Sequence, residues 1–131
     1  LNIEELEKQL KDSIGRFDFS SFCSIDTTAK TRHRTIWDVK VEKRGSLVNI
    51  WISGDGFLKQ MIRILIGTAF DVVTGRLEKT SVRDIIKKQD RLQAGRTAPS
   101  SGLCLVRIFY QKPTSLQEII KENDNSYSML I

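Results

Sequence analysis

Between Asp55 and Gly75 the chain is densely apolar, with Phe57, Met61, Ile62, Leu65, Ile66, Phe70 and Val73 recurring at three- to five-residue spacing. That period predicts an α-helix, started by Asp55 as a cap, running from Gly56 and stopping near Gly75. A helix so apolar has to lie largely in the core, so the other elements must be built around it. At about 100° per residue, Phe57, Met61, Ile64, Leu65 and Thr68 share one broad face, and Lys59, Gln60, Arg63 and Gly67 form a narrow stripe opposite. Arg63 has no local carboxylate, because its neighbours one turn away are Lys59, Gln60, Ile66 and Gly67. If the stripe faces solvent, that absence costs nothing. If it is covered, an unpartnered guanidinium is destabilising by about 3 to 5 kcal/mol, and a phosphate or a carboxylate from elsewhere must meet it. Gly67, one turn on, leaves room for such a group to approach.

Before this helix, Asn2 and Glu5 read as a capping box, and Ile3, Leu6, Leu10 and Ile14 continue at helical spacing until Gly15, predicting a helix over residues 2–14. Residues 23–31 are polar and without period, a long surface loop. Two β-branched runs, Arg34 to Glu42 and Leu47 to Ser53, flank Arg44-Gly45-Ser46 and predict a hairpin. After the long helix, Ser81 to Gln89 predicts a third helix with Val82, Ile85 and Ile86 facing inward, and Leu103 to Tyr110 a third strand. Beyond Pro113, Leu116 to Lys121 suggests a short helix and Glu122 to Ser128 look frayed. The order predicts an α+β fold, a mainly antiparallel sheet with helices packed on one face and the other face free for a partner, over residues 1–112, followed by a tail at 113–131.

Composition narrows the chemistry. Lys and Arg number 21 against 16 acidic residues, a net charge of +5 that suits a polyanionic partner such as nucleic acid, though a mildly basic protein with no such partner has the same balance. Cys23, Cys104 and the lone His33 match no metal-ligand spacing, and reduced thiols fit a cytoplasmic protein. His33 sits between Arg32 and Arg34, which disfavour the protonated imidazole a general base must form. No Walker A, GxSxG, HExxH or GxGxxG sequence is present, and no segment has the roughly 20 apolar residues of a membrane span. The chain opens with Leu1 rather than Met, as a piece of a longer polypeptide would.

The loop Asp90 to Gly102 is shaped by Gly95, Pro99 and Gly102 and carries Arg91 and Arg96, a weak hint of phosphate binding. Together with Asp18-Phe19-Ser20-Ser21-Phe22, Arg34-Thr35-Ile36, Phe57-Leu58, Met61-Ile62-Arg63, Gly67-Thr68, Thr97-Ala98-Pro99 and Gly102-Leu103-Cys104-Leu105, it resembles the second half of the TruA-type tRNA pseudouridine synthases in order and spacing from about residue 1 to 110. The resemblance implies half of a pseudouridine synthase fold, in an enzyme that isomerises uridine to pseudouridine in the tRNA anticodon stem-loop without metal or organic cofactor. It implies that the nucleophilic aspartate, in an Arg-Thr-Asp-Ala-Gly block absent from this chain, comes from an N-terminal catalytic half, and that the protein is a homodimer acting on tRNA. Carried over residue by residue, Arg63 matches the arginine that pairs with that aspartate and Leu103 the aliphatic residue that packs on the target base. Arg34, Lys59, Arg91 and Arg96 become RNA-backbone candidates. Lys59-Gln60 and Ile64 depart from the family's His-His and Asn, and Cys23 replaces a common Arg, which touches RNA contacts rather than the pairing role. Two other readings stand beside this one: a non-catalytic RNA-binding module on the same scaffold, and a structural or dimerisation domain using the long helix and the tail.

Overall fold

The computed structural model describes residues 1–102 and the backbone of Met129–Leu130. Three helices, α1 (Ile3–Lys11), α2 (Met61–Val73) and α3 (Val82–Lys88), and four strands, β1 (Gly15–Asp18), β2 (His33–Arg44), β3 (Leu47–Gly54) and β4 (Met129–Leu130), make an α+β fold. The sheet is antiparallel in the order β1-β2-β3-β4, with β4 adding two residues beside Leu47 and Val48. The strand expected at Leu103 to Tyr110 and the tail helix at Leu116 to Lys121 lie outside the described residues.

The hairpin forms as expected, with Arg44 opposite Leu47 and only Gly45-Ser46 between them. Gly45 has φ +62°, the left-handed value that two-residue hairpin turns need at their first central position. Val39, Val41 and Val48 point from the sheet into a core shared with Leu6 and Leu10 of α1, Met61, Ile64 and Leu65 of α2, and Val82, Ile85 and Ile86 of α3. α1 also covers the edge of β2 that β1 leaves open, because Glu7 accepts the Val41 N–H at 2.9 Å. Burial pushes the Glu7 carboxyl up, but the Val41 N–H and Lys11 more than offset this and hold it below the ordinary value. Gln9 ties α1 to α3: its amide donates to Glu5 at 3.0 Å and its carbonyl accepts the Val82 N–H at 2.9 Å.

Several of these expectations are corrected. α1 ends at Lys11, three residues early, and Gly15 at φ +129° opens the unexpected short strand β1. Half of the capping box forms, since Asn2 accepts the Glu5 N–H at 3.0 Å while the Glu5 side chain turns to Gln9. α2 begins at Met61, not Gly56: Gly56 has φ +149° and Gln60 has φ +62°, both outside helical space, so Phe57 to Gln60 is a loop. Asp55, expected to cap α2, instead closes the end of the hairpin, accepting the Thr35 N–H at 2.8 Å while its own N–H bonds the Thr35 carbonyl at 3.0 Å. Finally, the second face of the sheet is not open along β3: Asn49, Trp51 and Ser53 alternate there and are buried, and Asn49 Oδ1, Trp51 Nε1 and Ser53 Oγ have no hydrogen-bond partner among the described residues.

Candidate functional site

The site is built on one stripe of α2. Arg63, Gly67 and Asp71 follow at four-residue steps and so lie one above another, with Thr68 beside them. Against this stripe lies an extended strap, residues 94–98, entered from the turn Arg91–Gln93 whose Asp90 side chain accepts the Leu92 N–H at 3.0 Å. The strap is tied to the helix at both ends. Near α2's C-terminal end, Thr68 Oγ1 accepts the Gly95 N–H at 2.9 Å and Asp71 Oδ2 accepts the Arg96 N–H at 3.0 Å. Near its N-terminal end, the Arg63 carbonyl accepts the Ala98 N–H at 2.9 Å and the Ala98 carbonyl accepts Arg63 Nε–H at 2.8 Å. Gly67 sits between the two ties, and a Cβ there would lie 1.8 Å from the Arg96 carbonyl oxygen. The group that the bare glycine admits is therefore this backbone, not an acidic partner from outside.

Arg63 is half-buried, and the bond to Ala98 spends only its Nε–H. Among the described residues no carboxylate pairs with it. Its remaining guanidinium donors have no partner among the described residues. Asp71, two turns along, is the reverse case: its side chain is 3% exposed and faces Arg96, with Nη2 at 2.9 Å from Oδ1, and Arg76, at 3.8 Å. Burial pushes the Asp71 carboxyl up, yet the donors and charge of Arg96 and the charge of Arg76 outweigh it and hold the carboxyl below its ordinary value.

The four expected RNA-backbone cations already have partners within the chain. Arg34 Nη1 donates to the carbonyls of Thr31 and His33, at 2.9 and 2.7 Å. Lys59, which is in the loop before α2 rather than on the helix, pairs with Asp26 at 3.0 Å, both side chains being largely exposed. The Ser24 hydroxyl, bonded to Asp26, and then Lys59 keep that carboxyl low. Arg91 braces the strap from outside, donating to the Gly95 carbonyl at 3.0 Å and to Thr97 Oγ1 at 3.3 Å. Arg96 is held by Asp71, although its own side chain is 65% exposed. A shallow concavity of about 540 Å³ lies between the 24–26 loop and the strap, lined by Ser24, Asp26, Gln60, Arg91 and the largely exposed Ile25 and Leu92. Leu103 lies outside the described residues. Sequence reasoning missed Thr68 and Asp71: the strap residues they hold are 27 and 25 residues away in the chain, and only an aspartate on an apolar helix hinted at them.

Helices on one side of an antiparallel sheet, with an arginine at the start of the central helix that no carboxylate among the described residues pairs with, are consistent with half of a pseudouridine synthase fold. A family model described as tRNA pseudouridine synthase matches residues 10–111. Among curated relatives, the tRNA pseudouridine synthase A of Acetivibrio thermocellus is 41% identical over 110 residues, which cover 84% of this chain and 45% of the relative. Those of Thermoanaerobacter sp. strain X514 and of Clostridium botulinum strain Alaska E43 are 42% and 40% identical over the same shares. The chain belongs to the tRNA pseudouridine synthase family. It spans about half the length of the curated relatives it matches. No helix among the described residues is long and apolar enough to cross a membrane.

Proposed function

We propose that this chain is the C-terminal half of a cytoplasmic tRNA pseudouridine synthase that isomerises uridine to pseudouridine in the anticodon stem-loop, with no cofactor. The observation that carries the reading is Arg63: a half-buried guanidinium, fixed through Nε by Ala98, with no carboxylate among the described residues to pair with it. A family arginine held in this way is ready for an aspartate brought by the N-terminal half. An opposite charge a few ångströms away keeps that aspartate ionised and, through the planar fork of the guanidinium, oriented. The target base has to leave the helical stack to be reached. Leu103, five residues beyond the end of the strap, is assigned to pack against it. Arg34, Lys59, Arg91 and Arg96 follow the RNA backbone, and each exchanges or shares its present partner when phosphate arrives. The domain extends over residues 1–112, and the working enzyme is a homodimer.

The test uses the protein at its natural length and a tRNA anticodon-arm transcript. Formation of pseudouridine that is lost in Arg63→Ala, with folding and RNA affinity retained, is the expected outcome. RNA binding without any pseudouridine would replace this reading with a non-catalytic RNA-binding module.

A further inference from the structure

We infer that Asp71 is a positioning residue for Arg63, acting through the strap at residues 94–98. This inference deepens the proposed function and rests on it for its catalytic consequence. Asp71 touches neither Arg63 nor any group near it, being eight residues and about 12 Å further along the helix. What links them is a continuous set of bonds. The carboxylate holds the Arg96 N–H with Oδ2 at 3.0 Å and the Arg96 guanidinium with Oδ1 at 2.9 Å, which fixes both the main chain and the side chain of one strap residue. Two residues on, Ala98 gives its N–H to the Arg63 carbonyl and takes the Arg63 Nε–H on its own carbonyl.

A stretch of only three residues thus joins a buried anion to the orienting bond of the arginine. The close seat at Gly67 stops the strap from drifting between the two ties, because the Arg96 carbonyl already occupies the space a methyl group would need. Here the main-chain bond is what converts the charge of Asp71 into a position for Ala98. Removing it leaves that end of the strap tied to the helix only through Thr68 and the Gly95 N–H, and Arg63 keeps its charge but loses a fixed direction.

The experiment follows Arg63 directly, so it decides the inference whether or not the protein proves to be an isomerase. In the natural-length protein, hydrogen exchange of the Ala98 amide and of Arg63 Nε–H is compared by NMR between wild type, Asp71→Asn and Arg96→Ala. The amides of Ile64 and Leu65, inside the buried face of α2, report whether the fold survives. Asp71→Asn is expected to speed exchange at both strap reporters at least tenfold while the helix amides hold. Arg96→Ala, which keeps the main-chain N–H bonded to Asp71, is expected to give a smaller acceleration in the same direction; its exposed side chain makes it the variant that folds if Asp71→Asn does not. Unchanged protection at Ala98 and Arg63 in a folded variant overturns the inference. With activity, Asp71→Asn should lower kcat at least tenfold and leave KM for tRNA within twofold, whereas a merely structural aspartate would lower the amount of active protein and neither constant. An inactive wild type would refute the proposed function and leave the exchange result to stand.

Discussion

Replacing Gly67 by alanine sets two effects of known size against each other. Alanine is favoured over glycine in a helix interior by about 1 kcal/mol, so propensity alone makes Gly67→Ala stabilising. The added Cβ would meet the Arg96 carbonyl oxygen at 1.8 Å, its carbon at 2.8 Å and the Ala98 nitrogen at 3.0 Å. All three are backbone atoms of a strap already tied on both sides, so no flexible side-chain end can yield. Reaching ordinary van der Waals contact requires the strap to move by about 1.6 Å. That distance breaks both the Ala98 N–H bond and the Arg63 Nε–H bond, each worth about 1 kcal/mol net, and adds the strain of overpacking, about 1 to 3 kcal/mol. The balance is a loss of about 2 to 4 kcal/mol, read as a lower urea midpoint at unchanged slope. A midpoint equal to or above wild type would show that the strap does not press on Gly67, and the close packing described for the site would be wrong.

Asp71 also makes acid sensitivity predictable. Its folded carboxyl lies below the ordinary value of 3.8, so its contribution to stability is complete above that value and is lost as pH falls through the lower folded one. The stability difference between wild type and Asp71→Asn should therefore be largest near neutrality and shrink below about pH 4, as urea midpoints across pH would show. Ser21 is fully buried, donates to the Ile85 carbonyl at 2.7 Å and accepts the Asp90 N–H at 2.8 Å, so Ser21→Ala should destabilise by about 1 to 3 kcal/mol in the same assay by leaving both groups unsatisfied. Burial pushes the Cys23 thiol up and encloses it, so mass spectrometry after iodoacetamide should find Cys23 unmodified in the native protein and modified in urea.

Periodicity revealed the helices and the hairpin because their apolar faces are regular: Leu6 and Leu10, Val39 and Val41, Ile85 and Ile86 all fall in the core. It failed at the start of α2, where Phe57 and Leu58 continue the apolar spacing although Gln60 adopts a left-handed conformation that no composition rule marks. β1 was too short to show alternation, and its pairing partner His33 to Ile36 lies beyond a long loop. At the site, the absence of a local carboxylate beside Arg63 was legible, as was the room at Gly67. What fills that room was not, because the strap is about 30 residues away and its contact is made by backbone, which carries no residue signature. Lys59 was misplaced with the helix, and the pairing of Arg96 with Asp71 depends on how α2 and the strap run past each other.

The central claim is that Arg63 completes an isomerase whose nucleophile comes from elsewhere. The most direct measurement is pseudouridine formation in a tRNA anticodon-arm transcript by the natural-length protein and by its Arg63→Ala variant. Position-specific pseudouridine with the wild type, reduced at least a hundredfold in a variant that still folds and binds the RNA, is the expected result, about 2.7 kcal/mol of lost transition-state stabilisation. Equal activity in the two proteins would contradict the role given to Arg63, and no pseudouridine from the wild type would contradict the function itself.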